Sequence, residues 1–213
     1  MEDPQISVVI PTFNRADMVC DCIDSVLAQQ GVTFEIVVVD DCSPDNTGAR
    51  IRERYGNDPR VRYMRNERNM QLAATHNNGA RAATGDYLFF LDDDNILGKD
   101  ALKELLECFT RHPDAGLVAP LAIQKRKAGE EFVWTIGSDF NRWTSQPNDY
   151  LPNIPIDELP SDTTRFKTSY CPNAFAVRKQ DHNSVRGFCE ELPFYGSTAN
   201  CRHIASGHRG DPA

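Results

Sequence analysis

Nine residues, Tyr87-Leu88-Phe89-Phe90-Leu91-Asp92-Asp93-Asp94-Asn95, constrain this chain more than any others, because an apolar run breaks directly into three carboxylates. The first half has the aromatic and Leu content of a strand buried on both faces. The second half resists unpaired burial, since an isolated carboxylate loses too much hydration in a low dielectric. The pattern predicts a central parallel strand whose C-terminal end delivers acidic groups into a crevice, where open α/β sheets bind ligands. Three neighbouring carboxylates repel one another and call for a positive charge. A divalent cation with oxygen ligands is the economical one. A solvated acidic turn is the plainer alternative, and the earlier part of the chain weighs against it.

Ile6-Ser7-Val8-Val9-Ile10 reads as a strand stopped by Pro11. A helix then follows with Val19, Ile23, Val26 and Leu27 on one face. Phe34 to Val39 reads as a second buried strand ending in Asp40-Asp41-Cys42-Ser43, and Pro44, Asp45 and Asn46 open a helix to about Tyr55. Val61 to Met64 is a third strand. Asn69 is placed to cap a helix of small residues, Ala73 to Ala83, which Gly85 closes before Tyr87. Beyond Asn95 come a helix with Leu102, Leu105, Leu106 and Phe109 on one face and strands near 117–119, 132–136 and 175–177. Residues 143–165, rich in Pro, Asp and Asn, read as a long loop.

Alternating strands and helices predict a parallel sheet with right-handed crossovers, and 213 residues suffice for one good-sized core or at most two small ones. Three strand ends then meet on one edge: Thr12-Asn14-Arg15, Asp40-Asp41 and Asp92 to Asp94. One polar strand end is routine. Three on the same edge predict a site.

The net charge of −8 argues against a nucleic-acid partner, since phosphate contact needs a basic surface. No basic leader precedes an apolar segment and no apolar run is long enough for a membrane span. The expected location is cytoplasmic, with a peripheral contact at the cytoplasmic face of a membrane compatible with the sequence. The seven cysteines show no zinc-site pairing and read as reduced thiols, and His112, His182, His203 and His208 lack a metal-ligand spacing. Two common phosphate cradles are excluded. No glycine lies between Met1 and Gln30, so the first strand–helix turn is not a dinucleotide fingerprint, and G-x-x-x-x-G-K-[ST] occurs nowhere. Carboxylates stand where those folds place backbone amides, consistent with a metal bridging a diphosphate.

Three motifs, Ile6 to Arg15, Ile36 to Ser43, and Gly85 to Asp94, together resemble the inverting family 2 glycosyltransferases. The resemblance implies a GT-A fold, a single Rossmann-like α/β domain over 1–213 with a mixed, mostly parallel central sheet flanked by helices, divided into a nucleotide-sugar half (1–96) and an acceptor half (97–213). It implies Mn²⁺ or Mg²⁺ as cofactor and a UDP-linked sugar as donor, with a hexose as the transferred group. The acceptor, whether saccharide, lipid-linked or protein, stays open. Residue by residue, it implies that Pro11, Thr12 and Arg15 line the nucleotide pocket and that Asp40 accepts a hydrogen bond from the base. Asp93 would lie nearer the ribose and Asp94 on the metal, the two forming the D-x-D-type pair. Asn69, Asn77 and Gly79 would contact the donor. Gln71 replaces a usual glycine there, and His76 replaces a usual arginine, exchanging a fixed positive charge for a titratable one.

The proton acceptor is where the sequence departs from its relatives. The stretch Gly187 to Gly196 fits their approach to an acidic pair, but Ser197 and Thr198 follow, and the chain stops at Ala213, earlier than relatives do. Three expectations follow. Glu190 or Glu191 serves as the base; or the chain is an impaired nucleotide-sugar-binding module; or the base comes from elsewhere.

Overall fold

The computed structural model describes residues 3–125, 131–135, 138–140, 147–149, 154–155, 158 and 174–191. Strands β1 (Ile6–Thr12), β2 (Phe34–Asp40), β3 (Val61–Arg65) and β4 (Tyr87–Leu91) alternate with helices α1 (Ala16–Leu27), α2 (Thr47–Tyr55) and α3 (Gln71–Ala82). All four strands are parallel, side by side in the order β3-β2-β1-β4. After α4 (Ala101–Arg111) and β5 (Leu117–Val118) come four short strands, β6 (Ala122–Lys125), β7 (Glu131–Thr135), β8 (Ser138–Phe140) and β9 (Pro147–Asp149). The described chain closes with β10 (Ile154–Pro155), β11 (Ala174–Arg178) and α5 (Lys179–Ser184). β11 inserts antiparallel between β4 and β5, completing a six-stranded mixed sheet. The parallel series and the return of 175–177 to the sheet are therefore as expected.

Alternate residues of the central strands feed two separate cores, which is why their sequences are apolar without interruption. Val8, Ile10, Phe89 and Leu91 pack with Val19, Ile23, Val26, Leu102 and Phe109 of α1 and α4. Val9, Leu88 and Phe90 pack with Ala73 and Ala80 of α3 and with Phe175, Val177 and Phe188. The second core works because α3 presents small residues. A Cβ on Gly79 would stand 2.3 Å from Val9 Cγ1 and 3.1 Å from Val39 Cγ2, so the helix lies directly on β1 and β2.

Two expectations need correction. Pro11 does not stop β1, which continues to Thr12. β4 pairs only with Ile6 to Val9, so Pro11 lies where β1 has β2 as its one neighbour, and a missing N–H is tolerated there. Within the stretch expected to be a loop, the described parts 147–149 and 154–155 are short strands. Ser197 and Thr198 lie outside the described residues. No helix among the described residues is long and apolar enough to cross a membrane.

Candidate functional site

The register places Thr12 beside Asp40, and β1 separates β2 from β4, so three strand ends open on one edge. Between each parallel strand and the body of the helix that follows lies one non-glycine residue with positive φ: Asn14 (57°), Cys42 (66°), Gln71 (67°, the first residue of α3) and Asp100 (63°). Such backbone costs on the order of 1 kcal/mol per residue and concentrates where function over-determines geometry. Cross-links hold these loops together. Asp41 N donates to Thr12 O at 2.9 Å, and Asn14 N donates to Ser43 Oγ at 2.9 Å.

The acidic run at the end of β4 meets the first loop. Thr12 Oγ1 donates to Asp93 Oδ2 at 2.7 Å. A single guanidinium nitrogen, Arg15 Nη1, donates to Asp93 Oδ1 at 2.9 Å and to Asp94 Oδ2 at 3.1 Å. Asp93 is buried, whereas the Asp94 side chain is 47% exposed. Burial raises the Asp93 pKa above the ordinary carboxylate value although Thr12 and Arg15 pull it down. Asp92 is pushed up to about 7, by burial first and then by the charges of Asp94 and Asp93. Its carboxylate accepts no hydrogen bond among the described residues, so the cluster holds more negative charge than Arg15 offsets.

Asp93 and Asp94 are hard oxygen donors suited to Mg²⁺ or Mn²⁺. Among the described residues no group of three or more His, Cys, Asp and Glu side chains converges as a metal cage. That donor set fits a cation that is bound through one or two carboxylates and completes its shell with phosphate oxygens and water.

Asp40 is held differently from what its expected role requires. It is fully buried, with Oδ1 accepting from Ser43 N at 2.7 Å. Oδ2 accepts from Tyr63 Oη at 2.6 Å and Arg65 Nη1 at 3.3 Å. Gly48 on α2 makes room for this arrangement, since a Cβ there would meet Tyr63 Oη at 2.2 Å. Sequence reasoning passed over Tyr63 and Arg65. Their signal is register, because Val38 pairs with Tyr63 and Asp40 with Arg65, which brings both onto the Asp40 end of the sheet. Also passed over was Phe13, an exposed aromatic directly after Thr12.

A second group forms around the start of α3. Asp41 accepts from Met70 N at 2.7 Å and Gln71 N at 2.9 Å, capping the helix, and from Asn66 Nδ2 at 2.8 Å. Asn69 shares in the cap, its Oδ1 accepting from Gln71 N at 3.2 Å. Residues 68–71 with Ala73 and Ala74 form one wall of an open cleft of about 560 Å³, and Glu190 and Glu191 form the other. Asn77 joins the walls. Its amide donates to Phe188 O at 3.0 Å and to Glu190 Oε1 at 2.7 Å, and its carbonyl oxygen accepts from Phe188 N at 2.9 Å.

The structure therefore brings Thr12, Arg15, Asp93 and Asp94 into one cluster and Asn69, Glu190 and Glu191 around one cleft. Pro11 and Gly79 are packed into the sheet and its covering helix. His76 carries no positive charge to a ligand here. It is buried beside Phe90 and Phe188, with ring centroids at 5.1 and 5.2 Å. Neither ring nitrogen finds a partner among the described residues. Burial, reinforced by His182, lowers its pKa to about 3.

Comparison with known proteins accords with this geometry. The succinoglycan biosynthesis protein ExoO of Rhizobium meliloti (strain 1021) is 40% identical over 104 residues, 49% of this chain and 29% of ExoO. A hyaluronan synthase of Pasteurella multocida is 38% identical over 108 residues, 51% of this chain and 11% of its own. The chain thus spans less than a third of either relative. Among solved structures, S. aureus TarS 1–349 in complex with UDP superposes with a TM-score of 0.65 at 22% identity, covering 95% of this chain and 55% of that one. The mannosyltransferase PcManGT from Pyrobaculum calidifontis, in complex with GDP-Man and Mn²⁺, gives 0.65 at 18% identity, covering 93% and 52%. These likenesses establish the GT-A fold. The family model for glycosyl transferase family 2 matches residues 7–184, and the chain belongs to that family.

Proposed function

We propose that this chain binds a nucleoside-diphosphate sugar, with uracil as the base, and transfers the sugar to an acceptor hydroxyl with the aid of a divalent cation. The observation that carries the reading is the joining of Asp93 and Asp94 to Thr12 and Arg15 across adjacent parallel strand ends. The solved neighbours lend it chemistry, one in complex with UDP-GlcNAc and another with GDP-Man and Mn²⁺.

A divalent cation at Asp93 and Asp94 would supply charge neutralisation for the departing diphosphate. Thr12 holds Asp93 by a hydrogen bond, and Asp94 presents a half-exposed carboxylate. In the transfer, the acceptor oxygen forms a bond to the anomeric carbon as the bond from that carbon to the diphosphate oxygen breaks. The configuration inverts, and a carboxylate takes the acceptor's proton. Glu190 and Glu191 are the candidates for that base, and the Asn77 amide orients the first of them. A positioned carboxylate beside the cleft favours an active transferase over a mere binding module.

Calorimetry with UDP and Mn²⁺ tests the binding half. Asp94→Ala is expected to weaken metal-dependent UDP binding by more than about tenfold, or about 1.4 kcal/mol. An unchanged affinity refutes the metal role. Donor turnover then tests the base: the Glu190→Gln and Glu191→Gln variants are compared with wild type, and full rates in both remove these residues from the chemistry.

A further inference from the structure

Arg15 occupies the point between Asp93 and Asp94 that a cation held by both carboxylates would take. Asp93 Oδ1 and Asp94 Oδ2 converge on one nitrogen, Nη1, at 2.9 and 3.1 Å. The remaining oxygens are turned elsewhere, Asp93 Oδ2 to the Thr12 hydroxyl at 2.7 Å and Asp94 Oδ1 toward Asn95 Nδ2 at 3.3 Å. A Mg²⁺- or Mn²⁺-sized ion needs its oxygens at about 2.0–2.2 Å. It cannot share the point between the two carboxylates with a guanidinium nitrogen. The Arg15 side chain is 48% exposed, so it has solvent to move into.

We infer that Arg15 is a resident counter-ion that a divalent cation displaces, and that the released guanidinium then pairs with the donor's diphosphate, coupling cation and nucleotide binding through one side chain. This rests on the cation reading of the site proposed above. In the empty protein Arg15 screens the repulsion between Asp93 and Asp94 and opposes entry of another cation. Once it has moved, it needs an anionic partner, and a diphosphate bridged to the same cation supplies one. Each ligand thereby removes an obstacle to the other, which is a reciprocal coupling.

The experiment is titration of Mn²⁺ into the wild-type chain, Arg15→Gln and Arg15→Lys, with and without UDP. Loss of the free-ion electron paramagnetic resonance signal measures binding, and thermal melting confirms that each variant is folded. Arg15→Gln is expected to bind Mn²⁺ alone about tenfold more tightly than wild type, while Arg15→Lys, which keeps the charge, stays within about threefold. With UDP present the advantage of Arg15→Gln should vanish or reverse. If Arg15→Gln binds Mn²⁺ alone no more tightly than wild type, while wild type still binds Mn²⁺ with UDP, the counter-ion inference falls and the cation reading stands. If wild type takes up no Mn²⁺ even with UDP, both fall together.

Discussion

The N-terminal edge of the sheet and the end of β4 on its opposite edge treat a buried carboxylate in opposite ways. At the N-terminal edge, Glu35 Oε1 accepts from Ser7 Oγ at 2.7 Å, Thr84 N at 2.5 Å and Thr84 Oγ1 at 2.7 Å. Its Oε2 accepts from Arg62 Nη1 at 3.0 Å, and Ser7 Oγ also takes Gly85 N at 2.8 Å. The backbone there closes tightly, since a Cβ on Gly85 would stand 2.9 Å from Ile6 C and Ser7 N. At the end of β4, on the C-terminal edge, Asp93 and Asp94 share one guanidinium, and Asp92 beside them has no donor among the described residues. The first edge is saturated and fastens β1, β2 and the turn into β4. The second is left short of positive charge, which suits the cation proposed for it. Burial alone does not separate the two; the supply of donors does.

The largest effect that tests this contrast is at Glu35. Glu35→Gln strands several donors and should lower stability by about 3 kcal/mol in urea unfolding at pH 7. A loss of a few tenths would mean that the edge is not locked by this residue.

Acid titration sharpens the contrast further. Burial pushes the Glu35 pKa up, but the Thr84, Ser7 and Arg62 donors outweigh it and hold the group below its usual 4.5. Its stabilising contribution is fully present above 4.5 and is lost as pH falls through the depressed folded value. Asp92 has the opposite sign. Its folded pKa of about 7 exceeds the ordinary 3.8, so stability declines as pH rises between them. Chemical denaturation from pH 3 to 8 should therefore show Glu35→Gln flattening the acid limb and Asp92→Asn flattening the neutral one.

At pH 8, Asp92→Asn should stabilise the empty protein by about 1 kcal/mol, because it removes a charge that nothing nearby pairs. A loss comparable with that of Glu35→Gln would erase the distinction between the edges. Smallest is Gln71→Gly, which relieves left-handed strain at a loop of the C-terminal edge and should raise stability by about 0.5–1 kcal/mol in the same assay. No gain would mean that the Asp41 cap already absorbs the strain.

How much of this was legible in the sequence follows from the range of each signal. The βα series was readable because strands covered on both faces leave unbroken apolar runs, as in Ile36 to Val39. The meeting of Thr12, Arg15 and Asp94 was readable because parallel topology alone puts successive strand ends on one edge. Pro11 was misread as a stop because its tolerance depends on where β4 ceases to pair. The internal satisfaction of Asp40 depends on the β2–β3 register, which no local pattern announces. The burial of His76 depends on Phe188, more than a hundred residues away in the chain. Asn77 looked like a ligand contact, yet its side chain binds the backbone of that same distant residue.

That last contact sets the character of the cleft. Asn77 grips Phe188 through both its N–H and its carbonyl, as one strand grips another, and so spaces Glu190 from Gln71 on the opposite side. Replacing Asn77 would therefore loosen one wall of the cleft while leaving the groups that line it unchanged.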